Sequence, residues 1–193
     1  MKNPWDPRDP SPMGDSDENA IFNAVGRALT EWEQVENACA RLFAILVSAN
    51  QRRTYHAPAV RAYGCIVSVP TKCEMLRLAA TAYFARRKSK TQFEVQFRKL
   101  VGEYADFSGR RNDIAHGSVS RVFITERRTT KGHRRGAIGF YLLPSFYNAK
   151  KFKEEKLSYR YTSSDVTYYK QEFTKLSLRI GGLGERMEGK RKP

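Results

Sequence analysis

The 193 residues suffice for one domain with an extension, and 40% hydrophobic against 28% charged residues exclude wholesale disorder. Lys and Arg number 35 against 20 Asp and Glu, and a net charge of +15 points to an anionic partner such as a nucleic acid. The longest apolar stretch, residues 38–49, contains Arg41 and falls short of the roughly 20 residues a bilayer crossing needs; with prolines and acids where a secretion signal needs an apolar run, a cytoplasmic location is expected.

Residues 1–40 hold eight acids against three bases, which leaves +20 to residues 41–193. The Pro- and Asp-rich residues 1–15 offer little to bury and read as a flexible tail. Phe22, Val25, Leu29, Trp32, Glu36, Cys39, Phe43 and Leu46 then recur at steps of three and four, the mark of a long amphipathic helix. Glu36 interrupts its apolar stripe, and a carboxylate there requires a cation or a proton.

A polar break at residues 50–54 is followed by a short apolar segment, 57–67, and an interruption at Pro70. Thr71 and Glu74 have capping-box spacing, and Met75, Leu76, Ala79, Ala80 and Tyr83 predict a second helix up to the basic break at residues 86–88. Phe93, Phe97, Leu100, Tyr104 and Phe107 predict the next helix, whose stepping extends to Arg111 and Ile114. Gly117 is placed to end that helix in a left-handed turn, with His116 in the last turn.

Alternation over residues 119–125 and 138–143 predicts two strands around a loop carrying Arg127, Arg128, Lys131, Arg134 and Arg135. These five, with Arg110, are candidate RNA contacts, although such a loop is equally read as a solvated hairpin. Residues 157–162 read as a further strand. A last helix entered at Thr162 or Ser163 carries Val166, Tyr169, Phe173, Leu176, Ile180, Leu183 and Met187, with Gly181, Gly182 and Gly184 expected to loosen its end. The prediction is a mainly α bundle of four to five helices with a small β-hairpin insertion at 118–162. It forms one domain over 16–187, followed by a basic tail, 188–193.

Cys39, Cys65 and Cys73 lack CxxC spacing and are expected to be reduced packing residues. The three histidines lack the paired spacing of a zinc site, and no metal or other cofactor is expected.

In Arg111-Asn112-Asp113-Ile114-Ala115-His116, an arginine followed by a polar residue precedes a histidine by five positions. This segment resembles the signature of the HEPN superfamily: Arg, a polar residue, three variable residues, then His. The resemblance covers residues 20–117 and the last helix, and departs from the minimal HEPN bundle at 118–162. It implies a metal-independent endoribonuclease acting as a homodimer, with a separately encoded antitoxin as a further possible partner where such proteins serve as toxins or in antiviral defence. The other reading is a non-catalytic HEPN-like module that binds RNA or protein.

The residue types suit RNA cleavage. Histidine exchanges protons near neutrality, and arginine offers a charged planar fork to a phosphate that gains negative charge in the transition state. On a regular helix Arg111 and His116 lie about 140° apart, whereas Asn112 and His116 share a face. A helix C-terminus favours the protonated imidazole, the form a general acid needs. The expected roles are general acid/base for His116, phosphate stabiliser for Arg111 and positioning donor for Asn112. Asp113 is a supporting residue, and Glu36 either orients Arg111 or makes a structural ion pair.

Overall fold

The computed structural model describes residues 2–48, 57–85, 91–123, 128–129, 132–133, 138–152 and 157–189. The chain is mainly helical. Helices α1 (Glu18–Val47), α2 (Ala57–Gly64), α3 (Val69–Ala85) and α4 (Thr91–Ala115) come first. Strands β1 (Gly117–Phe123), β2 (Arg128–Thr129), β3 (Gly132–His133) and β4 (Ile138–Pro144) follow, before α5 (Ser163–Met187). Both sheets are two-stranded and antiparallel, β1 with β4 and β2 with β3. The breaks expected at residues 50–54 and 86–88 lie outside the described residues.

The chain divides into two compact units, Met1–Thr30 with Gly109–Glu172, and Glu31–Ser108 with Phe173–Pro193. The division cuts α1, α4 and α5, so local periodicity could not reveal it.

The second unit is built by helical segments around aromatic side chains. Trp32 stacks on Tyr104 at 5.5 Å between ring centres and meets Phe173 edge-on at 5.1 Å. Phe43 contacts Tyr63, and Phe84 contacts Phe97. The α5 stripe appears as predicted, with Val166, Tyr169, Phe173, Leu176, Ile180, Leu183 and Met187 all buried. Its glycines do not loosen it: the helix runs on to Met187, and a Cβ on Gly184 would lie 3.0 Å from Ile45 Cδ1.

The α1 stripe is displaced from its predicted position. Ile21, Ala24, Ala28, Trp32, Val35, Cys39, Leu42 and Leu46 are buried, while Phe22 is 53% exposed. Two interleaved apolar rows satisfy the same three-and-four stepping, and packing selects the row with smaller side chains in the first turns. Glu36 consequently sits on the flank rather than in the centre. Pro70 opens α3 instead of interrupting before it, the position where a missing N–H costs nothing. Lys72 N donates to Ser68 O at 3.0 Å, and Cys73, Leu76, Ala80, Tyr83 and Phe84 form the buried face.

In the first unit β4 is central. Gly117 pairs with Pro144 and Phe123 with Ile138 on one edge. On the other, Asp15 pairs with Phe140 and Tyr161 with Leu142. The strand expected over 157–162 is thus reduced to a bridge at Tyr161. Part of the tail expected over residues 1–15 crosses the sheet: Gly14 N donates to Ile138 O at 2.9 Å, and Tyr141 Oη donates to Ser11 O at 3.2 Å. Gly139 has φ of +129°, and a Cβ there would fall 2.8 Å from Gly14 Cα, so only glycine admits this crossing. Asp15 then receives Ser163 N and Oγ at 2.7 and 2.6 Å. A capping box between Thr162 and Asp165 completes the α5 start.

Burial raises the phenols of Tyr63, Tyr104, Tyr141, Tyr159, Tyr161 and Tyr169 above the ordinary value of 10. The fold holds the neutral form, whereas the unfolded chain surrenders these protons near 10, so their contribution is intact below that pH and is lost above it. In an alkaline titration, phenolate absorbance from these six of the ten tyrosines should emerge only together with loss of helical circular dichroism. Their emergence from a still-helical protein would contradict this.

Cys39 and Cys73 are buried, and desolvation raises both thiols; Cys65 is exposed, contrary to its expected packing role. A thiol reagent near neutral pH should titrate one cysteine per folded chain and the other two only after denaturation. Rapid reaction of all three would show that the second unit opens readily.

Candidate active site

The last turn of α4 sorts the motif by burial. Asp113 and Ile114 are each 1% exposed, Arg111 is half-buried, and Asn112 and His116 face solvent. His116 N donates to Asn112 O at 3.1 Å, so the two polar side chains sit one helical turn apart. Arg111 Nη1 donates to Asn112 Oδ1 at 3.3 Å, while its buried Nε has no hydrogen-bond partner among the described residues. The imidazole of His116 makes no hydrogen bond among the described residues. It is the most available proton carrier of the motif.

Gly117 differs from expectation, because its φ is not positive. The chain passes directly from the helix end into β1. A Cβ at this position would meet the Leu142 side chain at 2.7 Å and Asp113 O at 2.9 Å, so glycine is required for close approach of sheet and helix.

Behind the exposed residues lies a buried ionic cluster. Asp113 Oδ2 meets Arg110 Nη1 at 2.9 Å, Oδ1 accepts from Lys151 Nζ, and Tyr161 Oη donates to Oδ2 at 3.4 Å. Arg110 Nη1 also donates to Tyr161 Oη at 2.9 Å. Tyr159 Oη donates to the Asp113 carbonyl at 3.0 Å, and its ring stacks on Tyr161 at 4.8 Å. Burial first, and then Asp113 beside Tyr159 and Tyr169 beside Tyr161, hold both phenols neutral as donors. Asp113 supports the motif as an anchor.

Arg110, expected as an RNA contact, is committed to Asp113 with its side chain only 15% exposed. Arg128 lies in β2 opposite His133. Arg127, Lys131, Arg134 and Arg135 lie outside the described residues. Glu36 belongs to the second unit, where Oε1 accepts from Trp32 Nε1 at 3.1 Å and Tyr104 Oη at 2.8 Å, and Oε2 pairs with Lys72 Nζ at 2.6 Å. These bonds form a structural ion pair, one of the two roles expected of Glu36.

Sequence reasoning did not assign Asp113 its partners Lys151, Tyr159 and Tyr161. The available signal was Asp113 itself, an acid beside a core isoleucine that needed partners as Glu36 did. Among the described residues no three His, Cys, Asp or Glu side chains group as a metal site, and no helix is long and apolar enough to cross a membrane. No family model, curated protein or solved structure matches this chain.

Proposed function

We propose that the chain is a metal-independent endoribonuclease of the HEPN type, cleaving RNA through attack of a ribose 2′-hydroxyl on the adjacent phosphorus. The supporting observation is the solvent-facing pair Asn112 and His116 at a helix end whose neighbours Asp113 and Ile114 are buried. A histidine serving only to lock the core would be enclosed and hydrogen-bonded.

A base removes the 2′-hydroxyl proton, the new P–O bond closes a 2′,3′-cyclic phosphate, and an acid protonates the departing 5′-oxygen. His116 supplies the proton chemistry, and two copies in a homodimer divide the base and acid roles. Arg111, bonded to Asn112 through Nη1, neutralises the equatorial oxygens, and Asn112 positions the phosphate. Cytoplasmic action as the toxin of a toxin–antitoxin or antiviral defence pair, with a separately encoded antitoxin, fits such an activity.

The test is incubation of the purified full chain with RNA in EDTA. Products ending in cyclic phosphate are expected, together with full resistance of an all-deoxy oligonucleotide that lacks the nucleophile. Cleavage of both would overturn the mechanism. The Asp113 cluster favours a second reading, a non-catalytic RNA- or protein-binding module in which part of the motif is architectural. RNA binding without any cleavage would select it.

A further inference from the structure

Just beyond β4, Phe146 is 71% and Tyr147 is 93% exposed, side by side in a segment whose neighbours are positively charged. Their ring centres are 5.9 Å apart, and Phe152 supports Phe146 edge-on at 5.4 Å. The loop has defined turns, with Asn148 N donating to Ser145 O at 2.9 Å and Phe152 N to Asn148 O at 2.7 Å. Two large rings held in a shaped loop keep most of their surface in water.

Both ends of this loop are tied to the motif helix. At its start, Pro144 pairs with Gly117, the residue after His116. At its end, Lys151 bonds the carboxylate of Asp113, one turn before His116. Lys150, exposed and without an ion pair among the described residues, adds a free ammonium.

We propose that Phe146 and Tyr147 form a stacking platform for an unpaired nucleobase of single-stranded RNA, with Lys150 on its phosphate, and that this loop positions the strand beside Asn112 and His116. The inference rests on the nuclease reading for its substrate class. Base stacking requires exposed aromatic faces, which a duplex denies, and a chain of net charge +15 attracts a polyanion. Charge therefore favours RNA over a protein surface as the occupant.

The experiment measures binding of a short fluorescent oligouridine by anisotropy in EDTA, using the full chain carrying His116→Ala to prevent turnover. Adding Phe146→Ala and Tyr147→Ala should weaken binding about tenfold or more, with an unchanged melting temperature and unchanged mass by light scattering. Phe146→Tyr with Tyr147→Trp should bind as the parent does, because the rings are retained. A duplex of the same length should show no dependence on either ring.

Unchanged oligouridine affinity in the double alanine variant, or no binding by the parent, overturns the proposal. A halved mass also overturns it, since the rings would then hold a second copy. If the native protein never cleaves but ring removal still weakens oligouridine binding, the nuclease reading fails and the stacking platform stands.

Discussion

Replacing His116 by alanine should lower RNA cleavage by about a hundredfold to ten-thousandfold, the range contributed by a positioned general acid or base. The side chain is exposed and makes no hydrogen bond among the described residues, so its removal leaves no cavity and no orphaned partner. Thermal stability should therefore change by no more than about 0.5 kcal/mol, as for an ordinary surface substitution. That separation of activity from folding gives the test its force. Initial rates on a defined single-stranded RNA, with melting curves of both proteins, check it. A variant that retains cleavage within a few-fold would remove His116 from the chemistry. A variant that fails to fold would show that the imidazole has a structural partner.

Asp113→Ala should behave in the opposite manner, with a loss of about 3 kcal/mol of folding stability, because breaking a buried ion pair strands its cations. The carboxylate is 1% exposed and Arg110 only 15%, so Arg110 cannot reach water without rearrangement; Lys151, 34% exposed, can partly do so. The loss should consequently fall at the lower end of the range for buried pairs. Urea unfolding provides the measurement. Removing Arg110 as well should restore part of the loss, since the uncompensated charge is then absent. A destabilisation below about 1 kcal/mol would place the pair in the class of solvated surface bridges, and the anchoring role assigned to Asp113 would be withdrawn.

The two variants separate the sides of one helical turn, the solvent side carrying the proposed chemistry and the buried side carrying the architecture. The motif mixes both: Asn112 and His116 recur on one face at four-residue spacing, while Asp113 lies between them on the other. Spacing identified the first pair. It could not assign Asp113 its partners, because Lys151 and Tyr161 arrive from 38 and 48 residues further along the chain.

What local periodicity determines, the sequence by itself determined. The α5 stripe from Val166 to Met187, the course of α4 through Phe97, Tyr104 and Ile114, and the long strands β1 and β4 all follow from 3.6- and 2-residue repeats, each set by the geometry of its own element. Tertiary structure decided which of two equivalent rows on α1 is buried, why Gly117 and Gly139 must lack a side chain, and how Asp15 comes to hold the start of α5. Each depends on a surface brought from a distant part of the chain, and a packing choice between rows of similar hydrophobicity exists only once that surface is in place.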